Sequence, residues 1–204
     1  MHSKPGAVAG AALLLMLLAA CQPVPTGSPS VTVSPVATGP APVCTATPGA
    51  TPTPCTAEQQ AAQQAEQQKQ DALYREAERV YRAFLAEDEK ISRAGSLITP
   101  EFKQLIVSGL VAKYEATYKR NRDAGARMVD GSVILRFVRP APAKSYQGSV
   151  VALESCVDAT STKVMIGDKK VADGRKVHSF TYFAEQEGSL RLSWQEGTVG
   201  DTAC

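Results

Sequence analysis

Helices first and strands afterwards predict an α+β fold, with a long N-terminal helix and a second helix packed on an antiparallel sheet. Three features carry this expectation. Apolar residues recur at steps of three and four between Leu73 and Leu85. A second helical stretch opens at Thr99-Pro100-Glu101. After Asn121 the period becomes alternating, and Asp-Gly and Glu-Gly pairs divide it into strands.

Thr56 is placed to cap the first helix. Residues 57–70 consist of Ala, Gln, Glu and Lys, with seven Gln between 59 and 70. These residues favour helix and include no Pro or Gly. With no apolar stripe beyond alanine, 56–70 is predicted to be a Gln/Ala-rich helical extension that projects into solvent. The stripe then appears as Leu73, Ala77, Val80 and Phe84, flanked by Tyr74, Tyr81 and Leu85. The helix should stop near Ala94-Gly95.

In the second helix Thr99 is the N-cap, Pro100 suits the first position and Glu101 suits the positive helix start. Phe102, Leu105, Ile106, Leu110 and Tyr114 form its apolar face, with Gly109 interrupting it. Lys119, Arg120 and Arg122 collect near its end, where the dipole favours cations. Five strands are expected, at 133–138, 149–157, 163–171, 176–184 and 189–195. The fourth carries His178, Phe180 and Tyr182 on one face, and the fifth Leu190, Leu192 and Trp194. Asp130-Gly131, Asp173-Gly174 and Glu187-Gly188 are the turn pairs. Residues 71–204 are enough for one modest core.

Ahead of this domain, Ala7 to Ala20 is apolar or small, with leucines at its centre. It is shorter than the ~20 residues that span a hydrocarbon core. It ends in Leu18-Ala19-Ala20-Cys21. This lipobox resembles the signal of bacterial lipoproteins. The resemblance implies a signal peptide over 1–20, a cut before Cys21, and a diacylglyceryl group on that thiol, with palmitate among the expected acyl chains. The product would be exported and held at the outer face of the cell membrane, since two acyl chains anchor stably.

Residues 22–55 contain no Asp, Glu, Lys or Arg and hold nine of the 13 prolines. Such a segment buries too little apolar surface to offset its ordering entropy. Residues 21–55 therefore read as a lipidated, disordered Thr/Pro-rich stalk, of a composition open to O-glycosylation. Without residues 1–20 the chain has 21 basic and 20 acidic residues, since only Lys4 of the 22 Lys+Arg is removed. This balance argues against a nucleic-acid partner, which needs a basic excess.

With Cys21 assigned to lipid, four of the five cysteines remain: Cys44, Cys55, Cys156 and Cys204. Four cysteines allow three pairings. Local pairing, 44–55 within the stalk and 156–204 within the sheet region, is the economical one. The second would close a loop of ~49 residues and contribute about 3–4 kcal/mol in the chain-entropy model. No pair has CxxC spacing, so no metal site is expected.

Tyr81-Arg82-Ala83-Phe84, Leu97-Ile98-Thr99-Pro100, Glu154-Ser155-Cys156-Val157-Asp158, Leu190-Arg191-Leu192-Ser193-Trp194 and the terminal Cys204 give a further resemblance. Over 71–204 the chain resembles secreted actinobacterial lipoproteins with an NTF2-like (cystatin-like cone) domain. The resemblance implies a curved antiparallel sheet that encloses a pocket with the long helix. It also implies that the cysteine of the Cys-x-Asp strand end pairs with one near the C-terminus.

Some relatives use an Asp/His pair in that pocket for isomerase, dehydratase or hydrolase chemistry. Here His178 is the only histidine after residue 20, and no motif supplies it with an acidic partner. The sequence shows no Gly-rich phosphate loop, HExxH, GxSxG or paired catalytic cysteine. No catalytic set or cofactor is expected. Tyr81, Phe84, His178, Phe180, Tyr182 and Trp194 are the candidate pocket lining, and the same spacing also serves a core. Lys119, Arg120, Arg122 and Arg127 face either an anionic envelope polymer or water. Asp158 is placed to cap a turn. The leading functional expectation is a surface-tethered, non-catalytic module that binds an envelope protein or polymer. The alternatives are a small-ligand carrier or sensor using the cone pocket, and an NTF2-like enzyme.

Overall fold

Thr56 caps the first helix, α1 (Ala57–Ala94), with a capping box. Its hydroxyl accepts from the Gln59 N–H at 3.2 Å, and the Gln59 side chain accepts from the Thr56 N–H at 2.9 Å. Gly95, in the left-handed region at φ 59°, ends the helix. The computed structural model describes residues 43–44 and 53–200. The expected signal peptide, Cys21, most of the expected stalk and Cys204 lie outside the described residues.

Just before α1, β1 (Val43–Cys44) pairs antiparallel with β2 (Thr53–Pro54). A Cys44–Cys55 disulfide closes this ladder, with 4.9 Å between the Cα atoms. The Gln63 side chain donates to Cys44 Sγ at 3.2 Å, so the disulfide sits against the first turns of α1. Cys156 is also disulfide-bonded. The expected partner, Cys204, is not among the described residues.

Residues 57–69 of α1 are exposed apart from the half-buried Gln60. Further on, Ala77, Val80, Tyr81, Phe84 and Ile91 are buried on one face. The single second helix expected from the sequence is two helices, α2 (Pro100–Leu105) and α3 (Ser108–Asp123). The break falls at Ile106, not at Gly109. Ile106 is fully buried and extended (φ −121°, ψ 153°), and it bridges in parallel to Leu192. The Val107 N–H then donates to the Leu192 carbonyl at 2.9 Å, so a sheet bond replaces a helical one.

The remaining strands are β3 (Ala126–Val129), β4 (Ile134–Pro140), β5 (Val151–Asp158), β6 (Lys163–Ile166), β7 (Lys169–Asp173), β8 (Lys176–Gln186) and β9 (Ser189–Val199). They form two antiparallel sheets, ordered β4-β5-β8-β9 and β3-β6-β7. The strand expected at 163–171 is instead the hairpin β6–β7, turning at Gly167-Asp168 with Gly167 at φ 57°. β3 has no counterpart among the expected strands. Between β8 and β9, Glu187 and Gly188 both have positive φ (55° and 72°), the geometry of a tight two-residue hairpin. Gly174 is required by close approach, because a Cβ there would lie 1.9 Å from the Ala159 carbonyl oxygen.

α1 lies against β3, β5 and β9, giving a cone-like α+β arrangement of helices on antiparallel sheets. The main core joins Phe84, Phe102, Ile106, Leu153, Phe183 and Leu192. Phe102 sits between Phe84, Tyr114 and Tyr118, at ring-centroid distances of 5.2, 5.2 and 5.9 Å.

Candidate functional site

Alternation along the four-stranded sheet gives it two chemically different faces. Ser155 is in register with Ser179, and Leu153 with Thr181; these residues face α1. Glu154 is in register with Phe180, Cys156 with His178, and Ala152 with Tyr182; these face away.

On the helix side, α1 and the sheet line a half-open cavity of about 360 Å³. Tyr81, Phe84 and Asp88 of α1 line it, with Tyr114 from α3. Val133, Val157 and Val177 supply apolar wall, and Ser179 and Gln195 supply polar wall. The polar groups are chained. Tyr81 Oη lies 2.8 Å from Ser155 Oγ, which lies 3.0 Å from Ser179 Oγ. Gln195 Nε2 donates to Ser179 Oγ at 3.1 Å and to Thr181 Oγ1 at 3.2 Å. These hydroxyls meet a phenol, an amide and one another rather than an imidazole or carboxylate, so the chain orients groups without activating a nucleophile.

Asp88 is the one carboxyl on this wall. Its Oδ1 accepts from the Tyr118 hydroxyl. Burial pushes the Asp88 carboxyl above its ordinary value, while the Tyr118 hydrogen bond pulls it down. Burial, with Asp88 nearby, pushes the Tyr114 phenol up to about 12. The Tyr118 phenol is raised by the same causes. Both phenols therefore stay protonated near neutrality. A smaller cavity of about 160 Å³ adjoins, sharing Ser92 and Met128. No group of three metal-ligating side chains occurs among the described residues.

Of the six aromatic and histidine residues expected to line one pocket, only Tyr81 and Phe84 do so. His178, Phe180, Tyr182 and Trp194 stand on the opposite face of the sheet. Tyr182 packs there with Ala141 and Ala152, against partly buried Phe180 and Trp194. Tyr146 stacks on Trp194 (5.2 Å, 8°), and Lys144 Nζ sits 4.4 Å from the Phe180 ring centre. Residues of one strand share a face, but the face that meets the helix depends on strand partners.

His178 does have an acidic partner. Its Nε2 lies 2.8 Å from Glu154 Oε1. Arg139 grips the same carboxylate with two hydrogen bonds of 2.9 Å. The Arg139 bonds, then His178, lower the Glu154 carboxyl to about 2. This set lies outside the cavity, which removes His178 as a base for chemistry there. Glu154→Gln should lower stability by about 1 kcal/mol at neutral pH. Because the folded value is depressed, that contribution is present above the ordinary carboxylate range and is lost as pH falls toward about 2. Denaturant unfolding of both proteins at several pH values checks it, and the difference should shrink with acid.

Asp158 caps its turn as expected, with Oδ1 accepting from the Thr160 N–H at 3.0 Å and hydroxyl at 2.7 Å. Of the basic group at the end of α3, Lys119 and Arg122 are paired to Asp123. Asp88 and Tyr114 were not among the expected site residues. The available signal was an acid four residues after Phe84, on the apolar stripe of α1.

No protein-family model matches the chain, and no curated protein matches it. Among solved structures, the intermembrane space region of chloroplast protein ARC6 aligns with a TM-score of 0.41 and 8% identity. The alignment covers 62% of this chain and 96% of that one. A likeness at this level carries no argument about function.

Proposed function

We propose that this chain is a lipid-anchored surface module whose domain holds a small, largely apolar ligand between α1 and the four-stranded sheet. It acts as a carrier or sensor. The observation that carries this reading is the cavity of about 360 Å³, with apolar walls and a hydrogen-bonded polar chain on one side. Cavities of about 300–1,000 Å³ with a few convergent polar groups are the usual form of small-molecule sites. The tether rests on Leu18-Ala19-Ala20-Cys21.

The test uses the full chain and 2-(1-naphthyl)ethanol, a neutral fluorescent probe. The probe should bind saturably. Val177 is partly exposed at the cavity wall, so Val177→Phe should fill space without removing a core contact. It should weaken probe binding by at least about tenfold, because overpacked space no longer admits the ring. Unchanged binding in Val177→Phe would place the probe elsewhere. For the tether, Cys21→Ser should move the protein from the membrane fraction to the soluble exported fraction.

A further inference from the structure

We infer that the ligand of this cavity is an amine: a compact apolar body with one protonated nitrogen, received by Asp88. This rests on the reading that the cavity is a ligand site.

The charge pattern of α1 is the starting point. Three acids stand in a row, Glu87, Asp88 and Glu89. Glu87 is paired with Lys90 at 3.0 Å, and Glu89 with Arg93 at 2.6 Å. Asp88 has Ile91 and Ser92 at the corresponding positions, so its own helix offers it no cation. Its Oδ1 accepts from Tyr118, and among the described residues its Oδ2 takes no hydrogen bond.

Among the described residues, those lining the cavity include no Lys, Arg or His. An anionic ligand would meet a carboxylate with nothing to balance it. A neutral ligand would fit the walls and leave Asp88 as it is. Asp88 is half-buried, and a protonated amine in the cavity takes the place of water at its second oxygen, donating a charge-assisted hydrogen bond. Tyr81, Phe84 and Tyr114 add aromatic rings to the lining, surroundings that favour a cation. Val157 and Val177 take the apolar body. Burial raises the Asp88 carboxyl, so an added positive charge relieves an existing penalty.

Three probes of one shape test this on the full chain: 2-(1-naphthyl)ethylamine, 2-(1-naphthyl)ethanol and 1-naphthylacetate. The amine should bind at least about tenfold tighter than the alcohol, and the acetate weakest. Asp88→Asn should abolish the preference for the amine over the alcohol. Tyr118→Phe keeps the carboxyl and should keep the preference for the amine. If the alcohol binds as tightly as the amine, or Asp88→Asn weakens both alike, the amine assignment falls and the cavity reading stands. If none of the three binds, the cavity reading falls and takes the assignment with it.

Discussion

Phe102→Ala should lower the stability of the domain by about 3–5 kcal/mol. Phe102 is fully buried, and its ring contacts Phe84 of α1 and both Tyr114 and Tyr118 of α3. It is the joint through which the short helix α2 holds the other two helices together. Removing the ring costs the transfer free energy of the aromatic atoms and leaves a void that Thr99 and Pro100, fixing the start of α2, keep from collapsing. The void would open beside Tyr114, so the cavity wall should loosen as well. Denaturant unfolding of the full chain measures the loss. A change below about 1 kcal/mol would mean that α2 is not a structural joint.

Asp88→Asn should act in the opposite direction and stabilise the domain at neutral pH. The folded carboxyl is raised above its ordinary value of 3.8. Stability from such a group is full below the ordinary value and is lost as pH rises through the raised one. The variant has no such loss, and its amide oxygen still accepts from Tyr118. The two proteins should therefore be closely matched in acid and separate as pH rises. Above the ordinary carboxylate range Asn should be the more stable of the two. The groups facing Asp88 are Tyr118 and Tyr114 of α3 and Glu89 of α1, and both tyrosines stay protonated in this range. Thermal unfolding across pH checks the sign. Equal stability at all pH values would show that Asp88 carries no penalty. A site that costs stability and gains it back on binding is the pattern expected of a ligand carboxylate.

The features legible in the sequence are those set by neighbours along the chain. Thr56, Thr99-Pro100 and Gly95 mark helix ends because caps are satisfied within three or four residues. Glu187-Gly188 marks its hairpin because a two-residue turn needs its own φ values. Ile106 was not legible as a break, since it leaves helix for a bond to Leu192, far away in sequence. The turn at Gly167-Asp168 was missed because residues 163–171 keep enough β-branched character to read as one strand. At the site, Tyr81 and Phe84 were found because a helix stripe shows its own inner face. His178, Phe180, Tyr182 and Trp194 were misplaced because a strand has two faces and only its partners choose between them. Asp88 is masked by its run of three acids, and its place on the stripe distinguishes it from Glu87 and Glu89.

The most direct test of the ligand cavity is side-chain NMR of the full chain titrated with 2-(1-naphthyl)ethanol. Val157 and Val177 methyls line the cavity, and the indole of Trp194, the sole tryptophan, reports the opposite face. Both valine methyls should shift saturably with the Trp194 indole unmoved. Shifts confined to Trp194, or valine methyls unmoved at saturating probe, would contradict it.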